Sequence, residues 1–308
     1  MKAINSRTLA AALSALALTT LAAARPAWAA VNVVTTTPEL AAITREVGGD
    51  LVSIQSLAKP DQDYHKIEAR PTDVVKVARA DVFVKLGMDL DQWADALLGS
   101  ARNPRVASGG AGYVDASRLI RKKEVQGHSI SGASGDIHPA GNPHYWLDPE
   151  NGKVIAYEIL LALRTVDSKN ARTYDANYQK FSSAVDQRMA KYRQQMAPFK
   201  NKPVVAYHEE WVYFMDRFGL NSFGFLEAKP GLPPSASHVS TLIGRMRATG
   251  VKAVIVPSIY PTRYPNFIAQ SVGGRAVVVP YSVGARGTKT YLDYMDAVVD
   301  GFRTALGG

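Results

Sequence analysis

Short valine-rich runs recur along this chain, and each is answered by a segment with helical spacing. The first is "VNVVTTTPELAAITREVGGD". Val31, Val33 and Val34 make a short buried strand. Thr37 is suited to cap a helix, Pro38 to its first position and Glu39 to its positive N-terminal end. Leu40, Ile43 and Val47 then recur at intervals of three and four until Gly48-Gly49 stops the helix. The unit repeats as strand "LVSIQSLA", a helix from Thr72 to Ala80, strand "VFVKLG", helix "DQWADALLGSA" and a fourth short strand, "RVAS". It resumes later with strand "PVVAYH", helix "EEWVYFMDRFG", strand "NSFGFLE", helix "SASHVSTLIGRMRATG" and strand "KAVIVPS". A helix from Tyr264 to Val272, strand "RAVVVPYS" and a last helix from Thr290 to Leu306 follow. Strands separated by helices favour crossover connections and hence parallel sheets. The expected class is α/β, with two lobes, each a parallel sheet wound with helices, joined by a long rigid helix.

That joining helix is legible in its own right. Tyr174, Tyr178, Phe181, Val185, Met189, Tyr192 and Met196 step by four or three over more than six turns. The pattern predicts one long amphipathic helix after a break near Asp167-Ser168, with Ser168 as N-cap. Its aromatic filling suits packing on a globular body better than a coiled coil. The boundaries expected are 1–29 for a signal peptide, 30–150 for the first lobe, 151–200 for linker helices and 201–308 for the second lobe. Inside the first lobe, residues 127–141 are Gly/Ser-rich without periodicity and read as a mobile loop.

The first thirty residues have a basic start, an Ala/Leu-rich apolar stretch and small residues before a cleavage point after Ala29, which is how a secretory signal peptide is built. The chain has no cysteine. That removes thiolate ligands, disulfides and the residue a lipid anchor needs. The expectation is a periplasmic protein, exported and not lipidated. The formal charge is +9. Its basic residues are scattered, and "RKKE" at Arg121 to Glu124 is the only tight run, so a solvated surface explains them better than nucleic-acid binding.

Ligands of open parallel sheets bind beyond the carboxyl ends of the strands. That rule sorts the six histidines. His65 follows the second strand, His208 ends "PVVAYH", and His144 lies where the first lobe leads into the linker. All three can reach one cleft between lobes. His238 opens a helix and reads as a capping or surface residue, while His128 and His138 belong to the loop. Taken singly, a histidine is more often structural than a ligand, and these spacings match no local zinc signature.

Four longer blocks carry a resemblance. They are "YHKIEARPTDVVKVARADVFVKLGMDLDQW", "GNPHYWLDPENG", "VVAYHEEWVYFMDRFGL" and "EAKPGLPPSASHVSTLI". Together they resemble the substrate-binding proteins of bacterial ABC transporters for zinc and manganese. The resemblance implies three ligands, His65, His144 and His208, and a monomer that delivers metal to a membrane permease. It also implies a fourth, acidic ligand after the last strand, but "VVVPYSVGA" has Tyr281 there. Glu227, then Asp63 and Glu209, are the substitutes, or water. An imidazole-rich set suits Zn(II), whereas Mn(II) prefers more oxygen donors. Relatives that carry manganese usually have a glutamate at the position of His208. Asp148 is expected to support the site or cap the linker helix. His128, Asp136 and His138 are candidates for collecting metal at the loop.

Two rivals are set aside at this level. A zinc hydrolase would use Glu209 or Glu210 as base, but "HEEWVY" lacks the second histidine of H-E-x-x-H and no G-x-S-x-G occurs. A metal-binding adhesin fits less well in a chain without an anchoring cysteine. The expectation is therefore a zinc carrier and not an enzyme.

Overall fold

In a computed structural model, residues 30–124 and 138–308 are described. The signal-like segment, His128 and Asp136 lie outside the described residues. The first sheet is built from β1 (Val31–Thr35), β2 (Val52–Ser56), β3 (Val82–Lys85) and β4 (Tyr113–Asp115). Its helices are α1 (Pro38–Gly48), α2 (Pro71–Ala78) and α3 (Trp93–Ala101). Two helices follow, α4 (Pro149–Val166) and α5 (Ala171–Met196). The second sheet holds β5 (Pro203–Ala206), β6 (Asn221–Phe225), β7 (Ala253–Pro257) and β8 (Arg275–Val279). Around it lie α6 (Val212–Phe218), α7 (Ala236–Thr249), α8 (Arg263–Ser271) and α9 (Tyr291–Leu306).

Every ladder is parallel, and the strand orders are β2-β1-β3-β4 and β6-β5-β7-β8. The two sheets therefore share one winding. The central strands β3 and β7 are buried along their whole length, as strands covered on both faces must be.

The fourth strand is not where the sequence suggested. "RVAS" at 105–108 forms turns, and β4 is "YVD", paired with Phe83, Val84 and Lys85. Val106 is buried from a turn, which is why its run looked like a strand. What admits the chain beside β3 is Gly112, where any Cβ would lie 1.9 Å from the Asp81 carbonyl oxygen. Ser168 is likewise not the cap of α5. It starts a short 3-10 turn, and the Asp167 carboxylate gathers the corner by accepting from Asn170 Nδ2 and the Tyr174 hydroxyl, both at 2.7 Å.

The 26-residue helix α5 buries Tyr174, Phe181, Val185, Met189, Tyr192 and Met196. Each such side chain contributes roughly 1.5–3 kcal/mol. This face packs on α4, on α1 from the first half and on α9 from the second. One apolar cluster consequently runs through both sheets. The start of α4 is fixed from the same side: the Tyr291 hydroxyl donates to the Trp146 carbonyl at 2.6 Å, over Gly152, where a Cβ would strike the Tyr291 ring at 2.5 Å. Asp148 caps α4 through the Glu150 N–H at 3.0 Å and holds Arg217 at 2.8 and 2.7 Å. It is thus a cap and an ion-pair partner.

Candidate metal centre

The carboxyl ends of both sheets open towards one place. After β2 the chain runs through a loop to a 3-10 turn at Tyr64–Lys66, which carries His65. After β5 it presents His208, and after β6 it presents Glu227. The segment from Gly141 into a second 3-10 turn, Tyr145–Leu147, carries His144. One ring nitrogen from each of His65, His144 and His208 falls within 4.8 Å of the others. The ring centroids are 5.3 to 5.4 Å apart.

Each imidazole is held differently. His65 Nδ1 lies 2.9 Å from Asp63 Oδ1, which also accepts the His65 backbone N–H at 3.1 Å. Burial alone would raise the Asp63 carboxyl, but its bonds to His65 and Lys66 hold it well below the usual range. An ionised carboxylate only accepts, so Nδ1 carries a proton and Nε2 is the nitrogen left to face the site. That Nε2 is buried without a protein partner.

His208 has its carboxylate on another strand connection. Its Nδ1 lies 2.7 Å from Glu227 Oε2, an oxygen that also accepts the Gly231 N–H at 2.9 Å. Burial lowers His208, yet the bond to Glu227 and the charge of Glu210 outweigh it, so its pKa is raised. His144 has no carboxylate. Its backbone N–H donates to Asn142 Oδ1 at 3.1 Å, and its Nδ1 is buried and unpartnered. Burial, then the neighbouring imidazoles, hold its pKa well below the ordinary value, so the ring is neutral. Asn142 also donates to the Glu209 carbonyl at 2.9 Å and to Glu124 Oε2 at 3.1 Å, which ties the His144 segment to the loop after β5.

The candidates for a fourth ligand each have a contact of their own. Glu227 and Asp63 each face the Nδ1 of a histidine. The Tyr281 hydroxyl accepts the Tyr64 backbone N–H at 3.2 Å, and its ring packs 4.9 Å from that of Tyr64. Glu209 meets the site through its carbonyl. His238 Nε2 lies 2.9 Å from the carbonyl of Phe225 at the end of β6, and the cap of its helix is Ser235, whose hydroxyl accepts the His238 N–H at 3.3 Å.

Sequence reasoning gave two neighbours no part in the metal site, Glu210 having been named only as the base of a rival hydrolase. Glu210 is fully buried beside His208, with Oε1 unpartnered. Burial first, then Glu227 and Asp63, push its carboxyl up to about 8. Glu39 is the other. The Tyr64 hydroxyl lies 2.9 Å from Glu39 Oε2 and 2.6 Å from Ser282 Oγ, and the Val283 N–H donates to Glu39 Oε1 at 3.3 Å. This knot joins α1 to the chain after β8, directly behind His65. An acid at the start of a helix looks like a dipole partner in sequence, and nothing local shows that it is buried.

Comparison with known proteins narrows what such a site is for. A family model described as "ZnuA: Zinc-uptake complex component A periplasmic" matches residues 33–305. The chain is 28% identical over 235 residues to the manganese ABC transporter substrate-binding lipoprotein PsaA of Streptococcus pneumoniae, covering 74% of this chain and 72% of the relative. It is 29% identical over 111 residues to the high-affinity zinc uptake system protein ZnuA of Brucella abortus, covering 36% and 33%. Among solved structures, a zinc-bound 138-173 deletion mutant of ZnuA superposes with a TM-score of 0.76 at 21% identity, over 91% of this chain and 99% of that one.

These relatives correct one expectation. The chain was read as periplasmic and not lipidated, but relatives such as PsaA are named lipoproteins. That reading rested on the signal-like start and the missing cysteine of this chain alone.

Proposed function

Because the chain belongs to the zinc-uptake complex component A family and is a metal ABC transporter substrate-binding protein, we propose that its cargo is Zn(II), bound by His65, His144 and His208 and handed to a membrane permease. The observation that carries this reading is the convergence of three buried imidazoles from three distant segments.

Their chemistry favours zinc. Neutral imidazole is a borderline donor that suits Zn(II), and Mn(II) prefers carboxylate and water oxygens. The two carboxylates nearest the rings are engaged at Nδ1 of His65 and His208. Such carboxylate–histidine pairs fix the tautomer, aim the ring and raise its basicity as a metal donor. His144 contributes in another way: a ring kept neutral by burial needs no proton removed before it binds. Relatives named for manganese and for zinc both occur, and the imidazole-rich donor set supports zinc here.

The test is competitive titration of the purified protein with zinc and manganese. Zinc should bind one to one and more tightly than manganese by ~10²-fold or more, as the imidazole set implies. Replacing all three histidines with alanine should abolish binding. Weak zinc binding that survives that replacement would overturn the reading.

A further inference from the structure

Zn(II) bound to protein is almost always four-coordinate, and three imidazoles leave one position. The place where an acid was expected holds Tyr281, whose hydroxyl is engaged by the Tyr64 N–H. Around His65, however, there are three imidazole neighbours at nearly one distance. His144 and His208 are centred 5.3 Å away, and His138 is centred 5.2 Å away.

His138 is prepared in the manner of the other rings. Its Nε2 is buried without a partner among the described residues, and it has a hydrogen bond to the Asp89 backbone. That backbone is unusual: Gly87, Met88 and Asp89 all have positive φ, at 76°, 47° and 65°. Non-glycine residues occupy that region at a cost, and such runs persist where the surroundings enforce them. Here the turn is locked by Asp91, which accepts the N–H groups of Leu86 and Gly87 at 2.6 and 3.0 Å. The same turn holds the next residues, since Asp89 Oδ2 faces the Ala140 N–H at 3.4 Å and the Gly141 N–H donates to the His138 carbonyl at 3.0 Å. Asn142 N–H then reaches the Lys123 carbonyl at 2.8 Å. His138 therefore stands on a pinned stretch of chain, with its ring beside that of His65.

We propose that His138 supplies a fourth imidazole to the metal, giving a four-nitrogen site in place of three histidines and a carboxylate. The inference rests on the triad reading above. Its chemical consequence is a neutral donor set that leaves the bound dication its full charge and disfavours oxygen-seeking Mn(II) further. Binding draws the His138 nitrogen inward, because it lies outside the 4.8 Å set formed by the other three.

X-ray absorption on the zinc-loaded full chain counts imidazoles through their multiple scattering. The wild type should show four, and His138→Ala and His138→Gln should each show three plus an oxygen. Zinc affinity should fall in both variants at least as much as the roughly 10–100-fold that loss of a ligand's supporting contact costs. The preference for zinc over manganese should narrow as well. Three imidazoles and an oxygen in the wild type, with both variants unchanged in spectrum and affinity, would overturn the role of His138 and leave the triad intact. Fewer than three imidazoles in the wild type would sink the triad and this inference together.

Discussion

The two sheets have the same winding but divide their labour in opposite ways. In the first, the end of the leading strand β1 brings a carboxylate, Glu39, and the connection after β2 brings the imidazole, His65, with Tyr64 tying the two together. In the second, the end of the leading strand β5 brings the imidazole, His208, and the connection after β6 brings the carboxylate, Glu227. One architecture thus yields complementary halves. The difference shows that the parallel winding supplies positions, while the residue types at those positions decide which strand connection brings the imidazole and which the carboxylate.

The largest expected effect separates donors from supports. His65→Ala and His208→Ala should each weaken zinc binding by more than the roughly 10–100-fold typical of a supporting contact, measured by chelator competition. If either variant binds like the wild type, the halves are not complementary in this sense.

Next come the supports themselves. Glu227→Ala and Asp63→Ala should each cost roughly 10–100-fold in zinc affinity. Glu227 should be the more costly of the two, because its side chain is 6% exposed against 18% for Asp63. Equal or reversed effects would show that the cross-strand carboxylate is no more committed than the local one.

Glu39 sharpens the comparison through pH. Burial raises its pKa above 4.5 in the folded chain. For a group raised in this way, the stability it lends is complete below pH 4.5 and is lost as pH rises through the folded value. Glu39→Gln keeps a neutral acceptor for Tyr64 and Val283. It should therefore lose less stability than the wild type as pH rises from 4.5, and should melt higher than the wild type at pH 8. Parallel melting curves for the two proteins across that range would contradict the buried-acid assignment.

The smallest effect concerns Tyr281. Tyr281→Phe removes the acceptor of the Tyr64 N–H and should lower stability by about 1 kcal/mol, while zinc affinity changes only a few-fold. A large loss of zinc with little loss of stability would instead make the Tyr281 hydroxyl a ligand.

How much of this was legible in the sequence depended on the range of the interaction. Helix α5 was visible because its stripe is local and regular, from Tyr174 to Met196. The strands were visible where β-branched runs are continuous. "RVAS" misled because Val106 is buried without pairing, a fate that local pattern cannot distinguish from a strand. His65, His144 and His208 stood out by the strand-end rule and by the blocks around them. Their supports did not, because the contact between His208 and Glu227 depends on how β5 and β6 lie side by side. Glu227 and Asp63 were recognised as relevant acids, but their contacts with the Nδ1 atoms of His208 and His65 were not. His138 was grouped with its flexible-looking surroundings, since nothing in "GDIHPAG" reveals the left-handed turn at Gly87–Asp89 that holds it.

Helix α5 has one more consequence. It is clamped against α1 on one side and α9 on the other, so the two halves share a common spine. A ligand can favour one shape only by as much as its affinity differs between shapes, and a braced molecule has few shapes to offer. The outline that meets a permease is then much the same whether or not the carrier is loaded. Empty copies should accordingly queue for the same docking place as full ones. Uptake would then pass through an optimum as the carrier becomes abundant, and beyond it unloaded carrier would act as its own competitive inhibitor.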